Sequence, residues 1–182
     1  MKKIFLFLTI SLFSIPAMYA VVTWDGTASE AWTKGTGTEA DPYLIETPAH
    51  LAYLSAQVKA GNTYEGVRFL QTDDLNLNSK TWTSIGTSTY KFAGVYDGGE
   101  KYISNLTNSI FGYVNNSNIQ NLTLQGADII ISDPKAYASL VNYAYGDCRI
   151  SNCHNHIHFK TTSEIYRSSS FTIHCGGLIA KA

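Results

Sequence analysis

The chain has 182 residues, a formal net charge of -1 and a pI near 6.5, a balance with no general pull toward nucleic acid or anionic membrane surfaces. Charged residues make up only 15%, while Tyr, Thr, Ser, Asn and Gly are abundant, which suits a β-rich extracellular protein better than a helical cytosolic one. The length fits one domain with enough chain to bury a core.

Residues 1–20 read as a secretory signal peptide. Lys2 and Lys3 precede an apolar run from Ile4 to Ile15, and Pro16 and the small-residue stretch AMYA follow, placing cleavage near Ala17 or Ala20. The run is shorter than the ~20 apolar residues that span a bilayer, and no later stretch reaches that length. The expectation is a soluble exported product, extracellular or at the cell surface, with no membrane span.

Residues 21–63 are expected to form an N-terminal cap. Gly35-Thr36-Gly37-Thr38 and Asp41-Pro42 read as turns, and Gly35-x-Gly37 lacks the Lys-Ser/Thr and helix start of a phosphate loop. Trp24 and Trp32 admit two roles: closing the end of a core, or a platform for carbohydrate. Thr47-Pro48 opens the one convincing helix, about residues 48–60, with Thr as N-cap and Pro at the first helical position. Leu51, Leu54 and Val58 recur at helical spacing and Gly61 closes it. Its expected place is over the open N-terminal end of a stacked sheet.

From residue 64 to 182 short strands alternate with turn residues. In LQTDDLNLN, Leu75 and Leu77 face one way while Asp74, Asn76 and Asn78 face the other. That polar face is solvated by default, since a calcium loop needs more carboxylates and a bend glycine. Trp82 and Ile85-Gly86 read as a core-facing corner, and Asp97-Gly98-Gly99 as a turn joining two strands. Two patterns then recur. One is Ile-x-Asn-[Leu/Cys], at Ile103–Leu106, Ile119–Leu122 and Ile150–Cys153. The other runs Ser109-Ile110-Phe111-Gly112-Tyr113-Val114, Ser139-Leu140-Val141-Asn142-Tyr143-Ala144 and Gly177-Leu178-Ile179-Ala180-Lys181-Ala182. Such returns predict a solenoid whose coils bury their apolar faces by stacking. Ile103, Ile119 and Ile150 are expected to stack inside, as are Leu106, Leu122 and Cys153. Asn105, Asn121 and Asn152 are expected to form a buried amide ladder at a bend, which withdraws the acceptor patterns at Asn105 and Asn121 from glycosylation.

In order along the chain, GTGTEADPYLI, HLAYLS, DDLNL, WTSIG, FAGVYDG, YISNL, IFGYV and IQNLTL resemble the N-terminal part of secreted and surface proteins of Bacteroidetes-type bacteria that carry GLUG-like repeats. The resemblance spans nearly the whole chain after residue 20. It departs at ASLVNYA, where those proteins prefer Gly-Gly-Leu-Val-Gly. What it implies is a mainly β fold, a right-handed parallel β-helix with one N-terminal capping α-helix, together with export and a role in adhesion or surface display. It implies no catalytic residues.

Cys153-His154-Asn155-His156-Ile157-His158-Phe159 has the most chemical character. On a strand, His154, His156 and His158 share a face with neighbours about 6.6 Å apart. His-x-His is a metal-ligand spacing that suits zinc, but convergence of three imidazoles from one strand needs distortion, and a solvated stripe is the plainer alternative. No other cofactor is indicated. Cys153 and Cys175 admit a disulfide if they lie on adjacent coils, with Cys148 spare; small buried hydrophobes explain both without a bridge.

No Ser-His-Asp set or zinc-protease motif is present, and the acidic residues are too scattered to name an acid/base pair. The expected function is an exported, non-catalytic module for adhesion, glycan contact or scaffolding, with a glycan or a host or cell-surface protein as partner. Trp24, Trp32, Tyr96, Tyr113 and Tyr143 are its candidate contact residues, because aromatic and hydroxyl groups make adaptable surfaces. The alternative is a polysaccharide lyase or glycoside hydrolase, which rests on fold analogy. GGLIAKA lacks a polar cap, so the C-terminal end is expected to need further repeats or a partner.

Overall fold

The structure is a computed structural model that describes residues 21–131, 136–161 and 174–182. The expected signal peptide at 1–20 lies outside the described residues. The fold is mainly β, and every strand pairing among the described residues is parallel. Strands β1 (Val22–Thr23) and β2 (Tyr43–Ile45) precede helix α1 (Pro48–Lys59), and β3 (Arg68–Gln71) and β4 (Leu75–Asn76) follow it. Next come β5 (Val95–Ser104), β6 (Phe111–Asn115), β7 (Asn118–Ile131), β8 (Ala136–Ala138) and β9 (Val141–Tyr145). The remaining strands are β10 (Arg149–Thr161), β11 (His174–Gly176) and β12 (Ile179–Lys181).

One sheet joins β1 to β5, β7 and β10; a second pairs β8 with β11; a third runs β6, β9, β12. Parallel pairing sets like positions over one another, and the side chains form columns. Phe69 lies opposite Tyr96, Tyr96 opposite Ile119, and Ile119 opposite Ile150. A second column runs Leu75, Ile103, Leu124, and a third runs Ile85, Phe111, Val141, Ile179. Nearly all of these residues are buried in one continuous core, with Ile150 partly covered at its edge. Helix α1 adds Leu51, Leu54 and Val58 to that core. Thr47 Oγ1 accepts from His50 N at 3.1 Å as its N-cap, and Ser55 Oγ donates to Thr83 O at 2.8 Å, tying the helix to the segment before β5.

The bends explain the asparagines. Asn105, Asn121 and Asn152 all have positive φ, at 57°, 54° and 49°, a conformation that Asn tolerates better than other side-chain-bearing residues. Their amides do not form one ladder but two. Asn105 Nδ2 donates to Asn76 Oδ1 at 2.9 Å, whereas Asn152 Nδ2 donates to Asn121 Oδ1 at 2.9 Å and Asn121 Nδ2 to Asp97 Oδ1 at 3.0 Å. The expected stack of Ile103 with Ile119 and Ile150 is corrected accordingly. Ile103 sits against Leu75 and Leu124, because its Ile-x-Asn serves a different bend from the other two. The amides are also less covered than expected: Asn105 and Asn121 are half-buried and Asn152 is exposed. Asp97-Gly98-Gly99 does not join two strands either. It is a corner inside β5, where the register with β7 shifts between Asp97 and Lys101.

Partial burial pushes the Asp97 carboxyl up, but hydrogen bonds from Gln120 Nε2, Gly99 N and Asn121 Nδ2 outweigh it and hold the group below the usual carboxylate range. A depressed folded-state value means that the ionised form favours the fold. Its contribution is complete above the unfolded value near about 3.9 and is lost as pH falls through the folded one. Asp97→Asn is therefore expected to lower stability by about 1–3 kcal/mol at pH 7, in urea melts, with the gap to wild type closing below about pH 4. Parallel pH curves for the two proteins would contradict this. Ile119→Ala, which empties a fully buried site between two neighbouring strands, is expected to cost about 2–5 kcal/mol. The exposed Ile130→Ala should stay within about 0.5 kcal/mol of wild type in the same melts.

Candidate functional site

An open groove of about 550 Å³ runs across the flank where α1 meets the third sheet. Lys59 enters from the last turn of α1, and Trp82, Thr83, Ser84, Gly86, Thr87 and Ser88 come from the segment between β4 and β5. Asn108, Gly112 and Tyr113 come from β6 and its approach, and Ala136, Asn142 and Tyr143 from β8 and β9. The volume is in the range of small-ligand sites.

Two glycines hold the groove open. Gly86 has φ +88°, and a Cβ there would stand 2.1 Å from Tyr113 O; a Cβ on Gly112 would stand 2.7 Å from Gly86 O. Backbone therefore packs on backbone at that point, and no side chain fills the space above it. Below, serines stitch the layers together. Ser84 Oγ donates to Ser109 O at 2.7 Å and lies 3.0 Å from Ser109 Oγ, and Ser139 Oγ donates to Gly177 O. The bridge from Ile85 to Phe111 aligns Thr83-Ser84-Ile85-Gly86 with Ser109-Ile110-Phe111-Gly112, an earlier copy of the pattern in which a serine takes the first apolar position.

Tyr113 and Tyr143 lie opposite one another in register, with ring centroids 4.6 Å apart and planes within 10°. Tyr145 continues the set at 6.5 Å from Tyr113, and Lys91 Nζ sits 5.2 Å from the centre of its ring. Burial, together with the neighbouring hydroxyls of Tyr143 and Tyr145, pushes the Tyr113 phenol above its ordinary ionisation range. The Tyr143 hydroxyl accepts from Ala136 N at 3.4 Å, and Asn142 Oδ1 accepts from Ala138 N at 2.9 Å.

The other expected contact residues are elsewhere. Tyr96 is 0% exposed and its hydroxyl donates to Gln71 Oε1 at 2.9 Å; it is a core residue and offers no contact surface. A tyrosine can occupy that interior position because Gln71, itself buried, satisfies the hydroxyl. Trp24 is also buried, edge-on to Trp82 at 5.6 Å, with Nε1 donating to Ala28 O at 2.8 Å. Trp32 is half-buried in a nest of Tyr43, Tyr53, Tyr64 and Phe69, all with ring centroids within 5.9 Å. Both tryptophans close the N-terminal part of the core in this form.

His154, His156 and His158 are exposed along β10, while Ile157 is buried and Cys153 and Phe159 are half-buried on the opposite side. The register with β7 shifts between His156 and His158. His158 Nδ1 is 3.9 Å from Asp128 Oδ1, whose other oxygen pairs with Lys160, and His154 Nε2 lies 3.3 Å from Asn152 Oδ1. Among the described residues no group of three or more His, Cys, Asp or Glu side chains is close enough to hold a metal ion. Cys148 and Cys153 are free thiols, and burial pushes the Cys153 thiol up. The side chain of Cys175, the other half of the expected Cys153–Cys175 bridge, lies outside the described residues. Cys153 lies opposite Leu122 in the first sheet, whereas the Cys175 backbone lies opposite Tyr137 in the second.

The stack gives a direct test of the groove wall. In a double-mutant cycle, Tyr113→Ala and Tyr143→Ala are expected to show a coupling of about 0.5–1.5 kcal/mol in urea melts, whereas additive losses would mean that the rings do not interact. No family model, curated protein or solved structure matches the chain.

Proposed function

We propose that the chain is an exported, non-catalytic module, built as a right-handed parallel β-helix with α1 as its N-terminal cap, that binds a glycan in the Tyr113–Tyr143 groove and serves adhesion or surface attachment. The observation that carries this is the pair of parallel tyrosine rings beside an open groove whose other lining is mostly hydroxyl, amide and glycine. A pyranose ring has an apolar face of C–H groups that packs on aromatic rings, and a rim of hydroxyls that pair with Ser, Thr and Asn side chains. All-parallel pairing, positive-φ bends and amide columns support the β-helix, as does the resemblance to GLUG-repeat proteins. The basic, apolar, then small-residue order of residues 1–20 supports export.

Binding is favoured over turnover by the chemistry of the lining. Among the described residues none in the groove lining carries a carboxylate, whereas glycoside hydrolysis uses two, about 5–9.5 Å apart.

A glycan array probed with residues 21–182, followed by calorimetry on the best ligand, is expected to give saturable binding. Tyr113→Ala and Tyr143→Ala should each weaken it by about tenfold, while Ile130→Ala, exposed on β7 and outside the groove lining, should not. Retention of affinity in both tyrosine variants would overturn the assignment of the groove. Release of reducing ends or unsaturated sugars from a bound polymer would replace the binding module with an enzyme.

A further inference from the structure

Beside the groove lies a second depression of about 250 Å³, lined by Trp24, Gly26, Ala52 and Ala56 among others. The two share Lys59, Trp82 and Thr83. They adjoin there, and the combined cleft runs from Trp24 and the Ala52–Ala56 flank of α1 to the tyrosine stack. Such a cleft suits several consecutive units of an extended chain better than one compact molecule.

Lys59 stands at the junction. Among the described residues it is the one charged side chain in either lining, it is exposed, and it takes no part in the ion pairs found among them, which are Lys34–Glu46, Arg68–Glu39, His158–Asp128 and Lys160–Asp128. As the basic residue in the last turn of α1 it meets the negative end of the helix dipole. That end amounts to about half a charge, so a full positive charge still predominates locally. A ligand seated across the junction therefore passes a cation that no acid among the described lining residues offsets.

We infer that the ligand is an acidic oligosaccharide, a uronate-bearing or sulfated chain, with one anionic group seated at Lys59 between a subsite on the tyrosine stack and a subsite along α1. This rests on the glycan reading of the groove and narrows its substrate class. A carboxylate or sulfate there gains a charge-assisted hydrogen bond, stronger than the neutral contacts elsewhere in the lining.

The test uses residues 21–182 and arrayed uronate and sulfated oligosaccharides, each matched with its methyl-esterified or desulfated counterpart. Calorimetry then measures the pair that binds best. The acidic form is expected to bind about tenfold tighter than its neutral counterpart at low salt, as a charge-assisted contact implies. Lys59→Ala should remove that difference by weakening the acidic ligand alone, and Lys59→Arg should keep most of it; unchanged thermal melts establish that both variants are folded. Equal binding of acidic and neutral forms, indifferent to Lys59 but sensitive to Tyr143→Ala, would overturn the acidic class and leave the glycan groove standing. Binding of poly-glutamate as tight as that of the best oligosaccharide would overturn the carbohydrate class, and no binding of any glycan would overturn both.

Discussion

The structure depends on bends that repeat in register. A parallel strand pair can form between distant parts of the chain only if each part turns at the same place, and here the turning is done by residues with positive φ whose side chains bond to their counterparts in the adjacent layer. Asparagine meets both requirements at once, because it tolerates the left-handed conformation and carries a donor and an acceptor on one planar group. The Asp97–Asn121–Asn152 column shows the arrangement most fully. A carboxylate accepts from the first amide, the first amide from the second, and His154 lies within reach of the last oxygen. Were these bends to slip by one residue, every core side chain beyond them would turn to the opposite face.

The core follows from that alignment. Phe69, Tyr96 and Ile119 differ widely in size yet occupy one column, and the column closes because neighbouring columns compensate. Phe92 and Phe111, at 5.2 Å, fill the space beside Tyr96 and Phe69. The groove has the same origin. The small positions Gly86 and Gly112 leave a hollow over their backbones, and the rings of Tyr113 and Tyr143 stand beside it. The features that make the fold stack and those that make its flank concave are thus set by the same in-register alignment of small and large positions.

Much of this was legible in the sequence. Thr47-Pro48 marked the helix start; the alternation in LQTDDLNLN placed Leu75 and Leu77 inside; and the second repeat pattern put Phe111, Val141 and Ile179 in register. The Ile-x-Asn pattern misled in part, because it records what any positive-φ bend requires and not which bend it is. Ile103 and Ile119 share the pattern and sit in different columns. Tyr96 and Tyr113 could not be told apart either. What sends Tyr96 inward is Gln71, one layer away, and a linear reading has no means of seeing that a buried hydroxyl will find that amide. The groove was half visible, through its tyrosines. Its glycines, Trp82 and Lys59 come together only when the layers and the helix end meet.

The placement of the three tryptophans has a spectroscopic consequence. Trp24, Trp32 and Trp82 all pack in the part of the core built from α1 and the segments up to residue 82, while the later strands carry tyrosine. Indole emission therefore reports on the loosening of the N-terminal part, and comparing it with far-ultraviolet dichroism, to which the long strands β7 and β10 contribute, shows without a label whether the two ends of the molecule melt together.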